Sequence, residues 1–401
     1  MSCTLCAEGG IKNFKDFNES CFCSTKDQES PYGNFSSHSA VFLSHAIVEN
    51  IHASITVLEK TIRSSYFADL VSAEGDPISS NTNGGLLMSY DFHLDEETPK
   101  LIEINTNAGG FFLSYELLKA SKNCCTHAKA QDIETMEETI VAMFRNEFKK
   151  ISDKPLGTVA IVDENPSGQF LYPEFQICKD ILEKHGITTY ILSPEEITVE
   201  HEMAYYEGKV IDLIYNRLTD FYFNEEKNAK FIPLLRNTKT LISPSLDDHK
   251  LFADKINFIH FQNPATYKDT LSLDEITTLT TSIPETKLVT LENKDTLWEG
   301  RKKYFFKPLN SYGSKGAYNG KGLTKKVWES IITQPYIAQE IVKPNTKIKE
   351  IDGAEEPFKF DIRAYTYNGK VLLLGARIYR GQTTNFRTVG GGFAPIFLTE
   401  N

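Results

Sequence analysis

Residues 86–110 read LLMSYDFHLDEETPKLIEINTNAGG, and this stretch decides the fold. Two runs of alternating apolar residues flank a polar turn at 95–99, a pattern typical of a β-hairpin. With the turn centred on Glu97, three pairs of residues face each other: Tyr90 and Ile104, Phe92 and Ile102, and Asp91 and Glu103. The even-numbered residues predict a core face, whereas the odd-numbered face carries Asp91, Glu103 and Asn105.

The odd-numbered face places two carboxylates directly opposite each other. Such a pair lowers stability unless a positive charge lies between them. Magnesium binds one or two carboxylates and completes its shell with water and substrate phosphates. Asp91, Glu103 and Asn105 therefore predict a magnesium site, and magnesium predicts a phosphate donor. The alternative is a solvated sheet face, since surface carboxylates are common, but the nearby pair Gly109-Gly110 lets a ligand approach and favours the metal.

The composition is that of a globular protein with an ample core. The chain has 401 residues, 40% of them hydrophobic and 24% charged, a length that predicts two or three domains. The formal net charge of -11 argues against nucleic acid or an anionic membrane as the main partner. No apolar run approaches the roughly 18 residues of a membrane span. The N-terminal residues lack the pattern of a signal peptide, so we expect a cytoplasmic protein with reduced thiols.

Four cysteines lie in the first 23 residues: Cys3, Cys6, Cys21 and Cys23. This arrangement could close a tetrahedral zinc site. The second pair is separated by one residue, where zinc sites usually have two to four. The alternative is a cytosolic leader with free thiols.

The order of patterns predicts four segments. Residues 1–37 form a polar leader, and residues 38–156 hold helices and the hairpin, beginning with a long amphipathic helix over 38–70. Residues 157–243 alternate strands and helices, which predicts a small parallel α/β sheet. Residues 244–401 hold shorter strands with turn signals, including a hairpin joined by Asn368-Gly369.

Ligands of a parallel sheet bind beyond the carboxyl ends of its strands. Two loops there are candidates for substrate binding, 163–168, which contains Ser167, and 216–220, which contains Arg217. Arg217 either grips a carboxylate or phosphate of the substrate or forms a structural ion pair, and the sequence leaves both open.

A strand over 304–308 ends near Lys307 and leads into a loop rich in small residues. Backbone N–H groups of such a loop can fold over phosphates. Lys250 is a second candidate for phosphate binding, and Lys255 could serve in its place. The alternative for the loop is an ordinary surface turn.

These residues resemble the ATP-grasp ligases. Lys307-Pro308 and the loop with Ser311, Gly313, Ser314 and Gly316 look like that family's phosphate-covering strand and loop. The stretch Gln339-Glu340-Ile341-Val342 resembles the strand that holds adenine. Asp361-Ile-Arg363 and Gly375-Ala-Arg377 resemble the two strands that bring arginines to the transferring phosphoryl group. Glu103-Ile-Asn105 with Asp91 matches the magnesium triad.

The Glu-x-Asn strand precedes the Asp-Ile-Arg segment here, whereas most such ligases have the reverse order. This is similar to the circularly permuted branch, the eukaryotic-type glutathione synthetases and glutathionylspermidine synthetases. The resemblance implies an α/β protein with α+β grasp lobes, in which the 157–243 substrate domain lies between the metal hairpin and the grasp lobes. The terminal Arg387-Thr-Val-Gly-Gly-Gly-Phe-Ala-Pro resembles the substrate loop of glutathione synthetases, with Arg387 as the carboxylate binder and Asn385 and Gly391 beside it. Val389 replaces a basic residue of that loop, which speaks against glutathione chemistry.

The resemblance implies an ATP-dependent carboxylate-amine ligase that works through an acyl phosphate. Two magnesium ions would lie on the triad, with Lys250, Lys307 and the glycine loop on the phosphates. Arg377, and with it Arg363, would stabilise the charge on the phosphoryl group during transfer. A regular Asn368-Gly369 hairpin puts these two arginines on opposite faces. Both can therefore act only if the hairpin contains a bulge. The partners would be a small-molecule acid and an amine. Three alternatives stay open, namely a small-molecule kinase, a non-catalytic nucleotide-binding or scaffold protein and a zinc-dependent enzyme.

Overall fold

The computed structural model describes residues 32–73, 78, 82, 84–121, 128–236, 239–309, 316–351, 354–381 and 388–399. The predicted cysteine leader and its zinc site lie outside these residues. So do five predicted site residues: Ser311, Gly313, Ser314, Asn385 and Arg387.

The described strands, numbered in chain order, are β1 (Val41–Ser44), β2 (Met88–Asp95), β3 (Thr98–Asn105), β4 (Ala128–Ala130), β5 (Thr158–Val162), β6 (Thr188–Leu192), β7 (Thr198–Glu200), β8 (Met203–Tyr206), β9 (Lys209–Ile211), β10 (Leu213–Asn216), β11 (Leu241–Ser243), β12 (Thr286–Leu288), β13 (Tyr304–Pro308), β14 (Tyr318–Asn319), β15 (Tyr336–Glu340), β16 (Asn345–Ile351), β17 (Ala354–Tyr367), β18 (Lys370–Tyr379) and β19 (Gly392–Thr399). The described α-helices are α1 (His45–Ile62), α2 (Ser65–Ala73), α3 (Phe111–Ser121), α4 (Met136–Lys149), α5 (Tyr172–Lys184), α6 (Glu226–Ala229), α7 (Leu246–Asp248), α8 (Asn257–His260), α9 (Leu273–Ser282), α10 (Lys294–Glu299) and α11 (Lys325–Ile331).

The largest sheet has the strand order β1-β19-β18-β17-β2-β3, with β16 paired to β17 and β4 paired to β19. Most of its strands are antiparallel neighbours, but β1 runs parallel to β19. Buried side chains cover both faces of the sheet. One face packs against α1 and α2, and the other packs against α3, α4 and α5.

The prediction of one long helix over 38–70 was wrong at its start. Residues 41–44 form the buried strand β1, and the side chain of Ser44 then caps α1 by accepting a hydrogen bond from the backbone of Ile47. The apolar residues that recur at helical spacing from Ile47 to Ile62 are buried, as predicted. Because β1 is fully buried, its continuous apolar run gives no alternation that separates a strand from a helix.

The predicted parallel sheet is present, with the strand order β11-β10-β5-β6. The predicted strands over 158–162 and 188–192 have the observed bounds of β5 and β6. The strand expected over 210–215 is divided into β9 and β10 at Asp212, whose carboxylate accepts hydrogen bonds from the backbone of Gly157 and Thr158. The described chain is therefore a mixed α/β fold.

A second four-stranded sheet has the order β12-β15-β13-β14 and its own apolar core. It brings Lys307 on β13 and Gln339 on β15 next to each other, because Phe305 pairs with Gln339 and Lys307 pairs with Ile337. Among the helices that the structure describes, none combines the length and the apolar character that crossing a membrane requires.

Candidate functional site

The site begins at the β2–β3 hairpin. Tyr90 pairs with Ile104 and Asp91 pairs with Glu103, as the sequence predicts. The expected pairing of Phe92 with Ile102 was wrong, because Phe92 pairs with Leu101 and the register shifts after Asp91. The turn is one residue tighter than expected, since Asp95 pairs with Thr98, and a bulge at Ile102 restores the predicted pairing nearer the site.

A second bulge decides the position of the two arginines. The β17–β18 hairpin shifts register between Tyr365 and Thr366, so that Arg363 pairs with Gly375 and Arg377 pairs with Asp361. Directly paired residues of antiparallel strands share a face. Arg363 and Arg377 therefore lie on one face of the sheet, which the sequence alone makes conditional on such a bulge.

Strand β17 also pairs with β2, and this places Arg363 beside Asp91. Arg363 donates from Nε to Asp91 Oδ1 at 2.7 Å and from a terminal nitrogen to Oδ2 at 2.6 Å. Arg377 donates to the same Oδ2 at 2.9 Å. Asp361 accepts two further hydrogen bonds from Arg377, both at 2.8 Å. Two carboxylates and two guanidinium groups thus form one buried cluster.

The charges of this cluster control the ionisation of Asp91. Burial alone disfavours the charged carboxylate, but the neighbouring Arg363 and Arg377 outweigh it and hold the pKa of Asp91 below its ordinary value. The carboxylate is ionised across the physiological range, and Asp91 itself is completely buried.

Glu103 and Asn105 have a different environment from Asp91. Both are half-buried on β3, and the Glu103 carboxylate forms no hydrogen bond or ion pair in the described structure. The amide nitrogen of Asn105 donates to Asp91 Oδ2 at 3.2 Å, which leaves the amide oxygen as its available ligand atom. A carboxylate and an amide oxygen fit a hard divalent cation. No group of three or more His, Cys, Asp and Glu side chains that could hold a metal occurs among the described residues.

Lys307 joins the hairpin to the second sheet. Its Nζ donates to the carbonyl oxygen of Ile102 and to Oε1 of Gln339, both at 2.7 Å. Enclosure by protein lowers the pKa of Lys307 to about 8, against the opposing attraction of Glu103. The predicted phosphate-binding lysine therefore lies beside the predicted metal-binding strand, although the two are about 200 residues apart in sequence.

No protein-family model and no curated protein matches this chain in sequence. Its structure is similar to that of a glutathione synthetase-like effector, GSS30, from Globodera pallida in its apo form, with a TM-score of 0.56 and 10% identity, covering 90% of this chain and 89% of that chain. A putative γ-glutamylcysteine synthetase from Methylobacillus flagellatus KT gives a TM-score of 0.50 and 12% identity, covering 88% of each chain. The chain has the ATP-grasp fold. The ATP-grasp ligase PsnB, complexed with minimal precursor, gives a TM-score of 0.32 and 10% identity over 61% of this chain and 91% of that chain.

The predicted adenine strand contacts Lys307 through Gln339, and Val342 beyond it contacts His93. Gln339 is buried, and its Nε2 has no hydrogen-bond partner among the residues that the structure describes. Glu340 is exposed, and Val342 offers its carbonyl oxygen at 2.9 Å to Nδ1 of His93. Nδ1 therefore carries the proton, and the buried Nε2 of His93 is an acceptor to which no group in the described part of the chain donates.

Sequence analysis missed His93. Burial lowers its pKa, so the imidazole is neutral. The sequence contained one signal for His93, which lies two residues after Asp91 on the same strand. Because side chains alternate between the faces of a strand, His93 is expected on the same face as Asp91.

The structure also describes four other predicted site residues: Lys250, Gly316, Ser167 and Gly391. Lys250 lies in the helical turn His249–Ala253. The charge of Lys255, the predicted alternative to Lys250, lowers the pKa of Lys307. Gly316 has φ +69° and accepts a hydrogen bond from the Tyr336 hydroxyl at 2.9 Å. Ser167 is exposed in the turn after β5, and the backbone of Gly391 donates to Thr388 just before β19.

Arg217 is buried and lies in a structural network. It donates to the carbonyl oxygen of Ala108 at 3.0 Å, to the Tyr215 hydroxyl at 3.3 Å and to Glu174 at 3.5 Å. Glu174 also accepts from the backbone of Gly110 at 2.6 Å, at the start of α3. The neighbouring Gly109 carbonyl accepts from Arg363 at 3.0 Å. Residues 108–110 therefore connect the parallel sheet to the arginine cluster.

Proposed function

We propose that this protein is an ATP-dependent carboxylate-amine ligase. One observation carries the proposal: Lys307 of the second sheet donates to the backbone of Ile102, the residue before the half-buried Glu103. Positive charge from Lys307, Arg363 and Arg377 thus lies near the hairpin that carries Glu103, a carboxylate with no hydrogen bond or ion pair in the described structure. Such a combination of cations and a metal-binding carboxylate suits phosphoryl transfer, which needs positioning and charge neutralisation.

Magnesium, proposed as two ions, would neutralise the β- and γ-phosphates. Glu103 and Asn105 are the proposed ligands, and Asp91 is the third ligand that the sequence predicts. Lys307, with Lys250 or Lys255, would hold the phosphates from the other side. Arg217, Ser167, Asn385, Arg387 and Gly391 stay predictions for substrate binding, as do the cytoplasmic location and the zinc site in the leader.

The reaction would proceed in two steps. A substrate carboxylate oxygen attacks the γ-phosphorus, the bond to the bridging oxygen of ADP breaks, and an acyl phosphate forms. The amine then attacks the acyl carbon, phosphate leaves, and the amine gives up a proton to form an amide. Arg363 and Arg377 would stabilise the charge that develops in the first step.

The test measures phosphate release from magnesium-ATP across a panel of amino acids, short peptides and polyamines. We expect turnover only when an acid and an amine are both present, and loss of turnover in Glu103→Gln. Glu97→Gln, which removes an exposed carboxylate from the turn of the same hairpin, is the control and should keep full activity.

Three results would contradict the proposal. Phosphorylation of an acid with no amine requirement would indicate a kinase on this fold. ATP binding with no turnover across the panel would indicate a non-catalytic nucleotide-binding protein. Full activity of Glu103→Gln would remove the proposed metal site.

A further inference from the structure

Asp91 is predicted from sequence as a magnesium ligand, yet its carboxylate is already saturated with donors. Oδ1 accepts from Arg363 at 2.7 Å, and Oδ2 accepts from Arg363 at 2.6 Å, Arg377 at 2.9 Å and Asn105 at 3.2 Å. A carboxylate has about four acceptor sites in all. A metal ion at Asp91 would therefore have to displace at least one of these donors.

Charge opposes that displacement. A magnesium ion bound to Asp91 at about 2.1 Å would lie a few ångströms from two guanidinium groups that hold the same carboxylate. Like charges at this distance repel each other. Glu103 has no cation within hydrogen-bonding distance in the described structure and is half-buried, so a metal ion there displaces no donor. The charges of Lys307 and Arg377 still act on Glu103, but neither group is bound to its carboxylate.

The two arginines do not depend on Asp91 equally. Arg377 keeps both hydrogen bonds to Asp361 if Asp91 is lost. Among the described residues, Arg363 would keep one acceptor, the carbonyl oxygen of Gly109, at 3.0 Å. Asp91 is thus the group that fixes the plane and direction of the Arg363 guanidinium, because it accepts two parallel hydrogen bonds from it.

We propose that Asp91 is a positioning residue and not a metal ligand. It holds Arg363 and Arg377 on one face of the large sheet, and the metal is held by Glu103 and Asn105 with nucleotide oxygens and water. This inference rests on the proposed function, since it assigns roles within the same site.

The experiment compares Asp91→Asn with Glu103→Gln in the full chain, with Mn²⁺ as a spectroscopic probe for magnesium. Binding of Mn²⁺ is followed by electron paramagnetic resonance in the presence of a non-hydrolysable ATP analogue. Glu103→Gln should weaken Mn²⁺ binding by more than about tenfold, which is 1.4 kcal/mol. Asp91→Asn should change it by less than about threefold, since an asparagine oxygen can still accept from Asn105.

Turnover separates the roles a second time. Asp91→Asn should lower kcat and kcat/KM for ATP together, because misplaced arginines lose an interaction made in the transition state. Glu103→Gln should instead raise the metal concentration needed for half-maximal rate.

A double variant, Asp91→Asn with Arg363→Met, guards against misfolding because it removes the buried cation that Asp91 neutralises. The double variant should also bind Mn²⁺ with nearly the affinity of the parent protein. Equal loss of Mn²⁺ affinity in the Asp91 and Glu103 variants would overturn the inference and leave the proposed function standing. Unchanged Mn²⁺ affinity in every variant would overturn both.

Discussion

Glu174 and Arg217 form a buried ion pair whose loss has a calculable cost. Their side chains are only 2% and 6% exposed, and the pair joins α5 and β10 to the start of α3. We consider Glu174→Ala, which removes the carboxylate but keeps the helix. The substitution leaves Arg217 buried with two neutral hydrogen-bond acceptors, Ala108 and Tyr215, and with the charge of Asp163 nearby. It also leaves two backbone N–H groups, of Gly110 and Phe112, without their acceptor.

The expected loss of stability follows from these contacts. Removing one partner of a buried ion pair costs about 3–5 kcal/mol. A buried N–H left without an acceptor costs about 1–3 kcal/mol. These two costs are not additive, because the same structural relaxation around residue 174 affects both of them. We therefore expect Glu174→Ala to lower the free energy of unfolding by about 4 kcal/mol, a large part of the roughly 5–15 kcal/mol typical of a domain.

Urea unfolding, followed by circular dichroism, measures this loss. The matched control is Glu183→Ala on the same helix, because Glu183 forms an exposed ion pair with Lys179. The control should lose less than about 1 kcal/mol. The double variant Glu174→Leu with Arg217→Met should recover part of the loss, since neither charge stays buried alone.

A loss in Glu174→Ala no larger than in Glu183→Ala would refute the reasoning. The result also separates the two roles that the sequence leaves open for Arg217. A structural role predicts that Arg217→Met lowers stability, whereas a substrate-binding role predicts normal stability and a raised KM.

Two further predictions concern Lys307 and Gly110. The pKa of Lys307 is lowered to about 8, so nucleotide affinity should fall as pH rises through this value, and Lys307→Arg should remove that fall in a binding titration. The pKa of an unfolded lysine is about 10.4, so between these values the unfolded state binds more protons, and the contribution of Lys307 to unfolding free energy should rise with pH. Gly110→Ala should lower the melting temperature far more than Gly186→Ala. Both glycines have positive φ, but a Cβ at Gly110 would lie 2.3 Å from the Phe393 ring. A Cβ at Gly186 would meet no atom of the described residues within 4 Å. Equal losses in these two variants would show that backbone conformation alone sets the cost.

Local sequence patterns predicted the two hairpins that form the candidate site. Alternation along β2 and β3 placed Asp91 opposite Glu103, and Asn368-Gly369 marked the β17–β18 hairpin. These features depend on residues close in sequence, where side-chain period and turn chemistry act directly. Counting residues also showed that Arg363 and Arg377 share a face only if the β17–β18 hairpin contains a bulge.

Contacts between distant segments could not be predicted in the same way. Asp91 and Arg363 are 272 positions apart, and no local pattern shows that their strands are neighbours. An opposed Asp–Glu pair signals only that positive charge must be near, and the sequence does not distinguish a metal ion from arginines. The same holds for Arg217, whose partner Glu174 lies on another element.

Strand β19 has a consequence for biosynthesis. It lies C-terminal to every other strand of the large sheet, yet β1, β4 and β18 all pair with it. Until residues 392–399 have left the ribosome, β1 and β4 lack the strand with which they pair and leave unpaired backbone and apolar side chains exposed. Unpaired strand edges are prone to aggregation. Nascent chains of this protein should therefore depend on chaperones until the last strand emerges.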